Sequence, residues 1–89
     1  MATIDTETVL SRARLALDAA AVGHAMLEGD TEEARFRAHL IRTQALELDL
    51  DEVANAALRV IALLPPNERP LRGIGVAMLH LCDTLQIER

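Results

Sequence analysis

The apolar residues of this chain recur at the spacing of an α-helix, and a few breaks divide that pattern into segments. The first segment, residues 6–28, stops at Gly29, a residue type common just past the end of a helix. Asp30 opens the second segment and is followed three residues later by Glu33, which is the pattern of a capping box. The second helix is predicted to reach about Leu48.

Acidic residues and prolines mark the remaining boundaries. Residues 49–52 repeat the acidic start, so a third helix is predicted from there to about Leu64; one long helix running through 49–52 is the alternative. Pro65 and Pro66 prevent that helix from continuing, since proline lacks the backbone donor. A fourth helix is predicted over residues 71–87. No segment alternates apolar and polar residues for long enough to indicate a strand.

Short connections make consecutive helices antiparallel neighbours. The sequence therefore predicts an all-α fold, an antiparallel up-down four-helix bundle that forms one domain over residues 1–89. The predicted core stripes, from the first helix to the fourth, are Leu10, Ala13, Leu17, Ala21 and His24; Ala34, Ala38, Ile41, Ala45 and Leu48; Val53, Ala57, Val60 and Leu64; and Ile74, Met78, Leu81 and Leu85.

The first helix has a second apolar line, formed by Leu15, Val22 and Met26. A bundle that covers only one side of this helix leaves that line exposed, and exposed apolar surface is typical of an interaction site. A homodimer that buries the line is therefore a possible assembly.

Composition excludes several classes of protein. The net charge is −5 and Phe36 is the sole aromatic residue, so the basic, aromatic surface of a nucleic-acid-binding protein is missing. Charged residues interrupt every stretch that approaches the roughly 20 apolar residues of a membrane span, and residues 1–8 do not resemble a secretory signal. A single cysteine, Cys82, favours a reducing, cytoplasmic location. No His or Cys pair has the helical spacing of metal ligands, so no metal site is predicted.

His39 is the residue that points to a function. At about 100° per residue it lies on the side of the second helix opposite the core stripe. Arg35 and Arg42 are its helical neighbours, one turn before and one turn after. The same outer surface also carries Phe36, Leu40, Thr43 and Leu46. An exposed neutral imidazole is a competent nucleophile near neutral pH, and guanidinium groups stabilise the charge on a phosphoryl group.

This part of the chain resembles the histidine phosphotransfer domains. In that family a bundle of four helices exposes a phosphorylatable histidine in a motif that runs roughly Ala-His-x-Leu-Lys-Gly-x-Ala, between a Gly-Asp pair at the helix start and a Leu-Gly break. The matching residues here are Gly29 and Asp30, Ala38 and His39, Ile41, Arg42 and Ala45, with Leu48 and Asp49 at the break and Val53 beyond it. Thr43 stands where the family usually has glycine, and Gln44 and Asp49 also depart from its pattern.

The resemblance implies a two-component signalling protein that works in a phosphorelay. His39 would accept and pass on a phosphoryl group, and Arg42 and Arg35 would stabilise it. The contacts to the aspartate-bearing receiver domain would come from Phe36, Leu40, Thr43 and Leu46. The receiver supplies Mg²⁺, so the chain needs no cofactor of its own and is a carrier more than an enzyme. A non-catalytic helical adaptor or regulator that uses the same face, or that homodimerises, is the alternative.

Overall fold

The structure is a computed structural model that describes residues 6–85. These residues form four α-helices and no strand: α1 is Thr6–Leu27, α2 is Thr31–Glu47, α3 is Asp51–Ala62 and α4 is Ile74–Leu85. Each helix packs against the next, and α1 also packs against α4. The predicted all-α four-helix bundle is confirmed. The end predicted for the fourth helix, residue 87, lies outside the described residues.

The turn from α1 to α2 follows from its sequence. Gly29 adopts a left-handed φ of +77°, and its N–H donates to Met26 O at 3.1 Å while that of Asp30 donates to Ala25 O at 2.8 Å. This is the Schellman arrangement, which satisfies the last carbonyls of a helix. The N-cap half of the predicted capping box is confirmed, because Asp30 Oδ1 accepts a 3.0 Å hydrogen bond from the N–H of Glu33.

The turn from α2 to α3 repeats that geometry without a glycine. Asp49 has a φ of +58°, and the N–H of Leu50 donates to Ala45 O at 2.8 Å. The break at 49–52 is confirmed and a continuous helix is wrong. The acidic start predicted at Asp49 is also wrong, because Asp49 belongs to the end of α2 and Leu50 is the N-cap of α3, with no side-chain cap. Aspartate is among the few residue types that enter the left-handed region readily.

The connection from α3 to α4 is longer than predicted, and α4 begins at Ile74 instead of residue 71. The N–H of Leu71 donates to Leu63 O at 2.8 Å, so Leu71 belongs to the connection. Gly73 has a φ of +95°, outside the helical range, and its carbonyl accepts the N–H of Ala77 at 3.0 Å. The helix can therefore begin only after Gly73.

Most of the predicted core is confirmed. The stripe of α2 is fully buried apart from Leu48, which is 40% exposed because it lies past the last helical residue, and every predicted residue of the third stripe is buried. In α4, Leu81 and Leu85 are buried, whereas Ile74 and Met78 are half-buried.

The predicted face of α1 is wrong. Leu10 and Leu17 are 64% and 71% exposed, and the His24 side chain is exposed as well. The line expected to lie outside forms the core instead, with Leu15 and Val22 fully buried. Both sides of α1 are apolar and both carry alanines, so periodicity alone does not choose between them.

Candidate functional site

His39 lies midway along α2 with an exposed side chain, as predicted. Its orientation follows from the buried residues around it. Ala34, Ala38, Ile41 and Ala45 are fully buried on the opposite side of the helix, and at about 100° per residue this directs position 39 away from the core. The core stripe of α2 therefore presents the imidazole to solvent.

Two arginines hold α2 from its two sides. On the α1 side, Arg37 Nη1 lies 3.4 Å from Asp18 Oδ1. On the α3 side, the Nε of Arg35 donates a 3.0 Å hydrogen bond to the carbonyl oxygen of Leu64. Because these restraints lie on opposite sides of the helix, they fix the direction in which its outer face points.

The pair on the α1 side joins a buried carboxylate to a half-buried guanidinium group and was not predicted from the sequence. Asp18 is only 8% exposed and lies among the apolar core residues of α1. The Nε of Arg37 is buried without a hydrogen bond, and Glu33 Oε1 approaches it at 3.7 Å. A buried carboxylate requires such a partner. The available sequence signal was a single acidic residue within the apolar line that contains Leu15 and Val22.

The predicted partner-binding residues surround His39 with different exposure. Phe36 and Leu46 are 56% and 49% exposed, which is high for side chains of their size. Thr43 is exposed, whereas Leu40 is half-buried and contributes less outer surface than expected. Arg35 and Arg42, predicted to stabilise a phosphoryl group, are both half-buried. The outer face of α2 thus combines an imidazole, two guanidinium groups and exposed apolar side chains.

A shallow groove of about 280 Å³ runs beside His39. One wall comes from α2 and includes Arg35, Phe36 and His39, and the other comes from residues 65–67 of the α3–α4 connection. Sequence reasoning did not place the connection here, because the approach depends on how α3 packs against α2. The two adjacent prolines were the only local sign that this segment is stiff.

The surroundings of His39 favour its neutral form. Partial loss of contact with water, and then the positive charges of Arg35 and Arg42, lower the pKa of His39 from its ordinary value. Each effect penalises the imidazolium. His39 is therefore uncharged, with a free lone pair on one ring nitrogen, over a wider pH range than a histidine in open solvent.

The described residues contain no group of three or more His, Cys, Asp or Glu placed to hold a metal ion. Among the helices over residues 6–85, none has the length and apolar character needed to cross a membrane. Cys82 is a half-buried free thiol on α4.

Comparison with protein families, with curated proteins and with solved structures finds no match to this chain.

Proposed function

We propose that this protein is a histidine phosphotransfer protein in which His39 carries the phosphoryl group. The observation that supports this most directly is the placement of His39, exposed midway along α2 of a four-helix bundle with Arg35 and Arg42 close enough to lower its pKa. A phosphoryl acceptor must be accessible, neutral and close to positive charge, and His39 meets all three requirements.

The reaction follows from these groups. An imidazole nitrogen of His39 attacks the phosphorus of an aspartyl phosphate on a receiver domain. The nitrogen–phosphorus bond forms as the bond from phosphorus to the carboxylate oxygen breaks, and the aspartate leaves as a free carboxylate. The positive charge that develops on the imidazole is discharged by loss of its other ring proton to water. Return transfer to a second receiver reverses these steps.

The protein around His39 contributes positioning and charge. The guanidinium groups of Arg42 and Arg35 would bind the phosphoryl oxygens, as such groups do in other phosphate sites. Because its Nε is already bonded to Leu64 O, Arg35 would use its terminal nitrogens. Phe36, with 56% of its surface exposed, would anchor the receiver. The receiver supplies Mg²⁺, and the setting is the cytoplasm.

Two departures from the family pattern have different consequences. Asp49 replaces a glycine at the break after α2, yet it has the left-handed φ of +58° that a glycine would adopt there. That difference leaves the turn intact. Thr43 replaces a glycine on the exposed face beside His39, so its methyl and hydroxyl groups would lie at the receiver interface and restrict which receivers dock.

Direct phosphorylation tests the proposal. The protein is incubated with phosphoramidate and, separately, with phosphorylated receiver domains, and intact mass is read at neutral pH because phosphohistidine is acid-labile. His39→Gln is the test variant. His24→Gln and His80→Gln are matched controls, since both histidines are also exposed. One phosphate that is lost only in His39→Gln supports the proposal. No phosphate on the folded protein from any donor, or one that persists in His39→Gln, contradicts it.

A non-catalytic adaptor is the second candidate, and the exposure of Phe36 and Leu46 favours it. An adaptor needs the shape of this face but not the imidazole. Partner binding that survives His39→Gln and is lost in Phe36→Ala, in a protein that takes up no phosphate, would assign the adaptor function.

A further inference from the structure

A second apolar surface lies on α1, on the side that faces away from the bundle. Six residues of this helix are spaced alternately three and four positions apart: Leu10, Ala13, Leu17, Ala20, His24 and Leu27. All six are exposed. We call this set the α1 seam. The core of the bundle uses the other side of α1, where Leu15 and Val22 are fully buried.

The α1 seam has the spacing of a coiled-coil face. Alternation of three and four is the heptad pattern by which one helix packs against another. At about 100° per residue the six positions fall within an arc of about 100°, and at about 1.5 Å per residue they extend over some 25 Å. The leucine side chains of the seam are largely exposed to solvent: Leu10, Leu17 and Leu27 are 64%, 71% and 89% exposed. No residue of the seam carries a permanent charge.

We propose that the α1 seam binds the α1 seam of a second copy of this chain, in antiparallel orientation. The first heptad position is occupied by Leu10, Leu17 and His24, and the fourth by Ala13, Ala20 and Leu27. The pattern is self-complementary, because an antiparallel pair brings each first position of one copy beside a fourth position of the other. About the middle of the seam, Leu17 then faces Ala20 of the second copy and Ala20 faces its Leu17, so that a large side chain meets a small one at these two central contacts.

The charges beside the seam select the antiparallel orientation. Arg14 flanks its N-terminal half and Glu28 stands at its C-terminal end. Glu28 Oε1 lies 3.1 Å from His24 Nε2, and this contact holds the carboxylate over the seam. An antiparallel pair directs Arg14 of each copy toward the Glu28 end of the other. In a parallel pair the side of the seam that carries Arg14 and Glu28 would face Val9, Ala16 and Gly23 of the second copy, so neither charge would meet an opposite one.

The dimer leaves the outer face of α2 free. Arg37 marks the side of α2 that meets α1, through Asp18, and Arg35 marks the side toward the end of α3, where His39 and its groove lie. The seam borders the α1 side of α2, where Leu10 and His24 line pockets together with α2 residues, but no residue of α1 lines the groove beside His39. A dimer therefore carries two independent His39 sites, and the inference does not rest on the proposed phosphotransfer.

Sedimentation of the full chain over a wide concentration range tests this proposal. We expect a reversible monomer–dimer equilibrium, and Leu17→Glu should raise its dissociation constant roughly 100-fold or more, since a charge would replace a central apolar contact. Val76→Glu on α4 is the matched control, because Val76 is 74% exposed and lies outside the seam. Unchanged helical circular dichroism shows that each variant is folded.

Charge exchange tests the orientation. Arg14→Glu and Glu28→Arg should each weaken the dimer roughly two- to fivefold at low salt, and the double variant should restore it. A strictly monomeric wild type overturns the proposal, as does a dimer that is broken by Val76→Glu and tolerates Leu17→Glu. A double variant that is no tighter than either single variant would overturn the antiparallel arrangement.

Discussion

The Nε of Arg35 donates a 3.0 Å hydrogen bond to the carbonyl oxygen of Leu64, and so joins the middle of α2 to the segment that leaves α3. Leu64 is itself fully buried, and the connection that follows it forms one wall of the groove beside His39. One guanidinium group thus positions that wall and also contributes positive charge to the imidazole.

Replacing Arg35 should weaken the fold as well as the site. Arg35→Gln leaves the carbonyl of Leu64 without its donor, and we expect the free energy of unfolding to fall by about 1–2 kcal/mol. Urea denaturation measures the change. Arg42→Gln is the control, because the side chain of Arg42 makes no hydrogen bond to residues 6–85, so the substitution should cost less than about 0.5 kcal/mol. Equal effects of the two variants would contradict the structural role of Arg35.

The titration of His39 should reflect its surroundings. Because the pKa is lowered, NMR titration of the ring protons should place its midpoint below the ordinary value of about 6.5. Arg35→Gln and Arg42→Gln should each move that midpoint upward, since each removes a positive charge. A midpoint at or above the ordinary value in the wild-type protein would contradict the electrostatic description of the site.

The same shift predicts how stability depends on pH. A histidine whose pKa is lower in the folded state binds fewer protons there than when unfolded. Stability should therefore fall as pH decreases through the ordinary histidine range, and His39→Gln should remove that part of the fall. Urea midpoints measured on either side of that range, for the wild type and for His39→Gln, check the sign. A wild type that gains stability there relative to the variant would refute it.

The partly buried pair of Asp18 and Arg37, on the other side of α2, should be energetically coupled. Asp18→Ala and Arg37→Ala each leave a partly buried charged group without its partner, so we expect the double-mutant cycle to give a coupling energy of about 1 kcal/mol. The comparison pair is Arg37 with Glu33, which is longer at 3.7 Å and more exposed. Its coupling should not exceed about 0.5 kcal/mol. A larger coupling for Glu33 would reverse this ranking.

The two matching turns allow a reciprocal exchange of residues. Asp49 has a left-handed φ of +58° in the position that Gly29 occupies at +77° in the preceding turn. Asp49→Gly should therefore stabilise the protein by about 0.5–1 kcal/mol, and Gly29→Asp should destabilise it by a similar amount. Thermal unfolding of both variants measures this, and two shifts of the same sign would show that the turns are not equivalent.

Sequence reasoning succeeded where a helix has one apolar side. The core residues of α2, between Ala34 and Ala45, form one stripe, and those of α3, between Val53 and Leu64, form another. Their burial and the outward direction of His39 therefore follow from helical geometry. In α1 both sides are apolar. The buried side contains Asp18, whose partner Arg37 is distant in sequence and comes into contact with it only in the folded chain.

The groove beside His39 depended on the same kind of long-range information. The sequence shows that residues 65–67 are stiff, but not that they turn back against α2. The hydrogen bond from Arg35 to Leu64 O, between residues 29 positions apart, could not be read from local spacing. The start of α4 was predicted too early for a local reason. Gly73 has a φ of +95°, which is outside the helical range, so the helix begins only after Gly73.

Arginines on both sides of α2 leave this helix little freedom to roll about its own axis. Asp18 restrains one edge through Arg37, and Leu64 restrains the other through Arg35. The direction in which the side chain of His39 leaves α2 is thus set by side chains on the inner sides of the helix. A substitution at Asp18, on another helix, would change that direction although Asp18 does not contact His39. A molecule that docks here therefore meets a helix face whose direction is set before it binds.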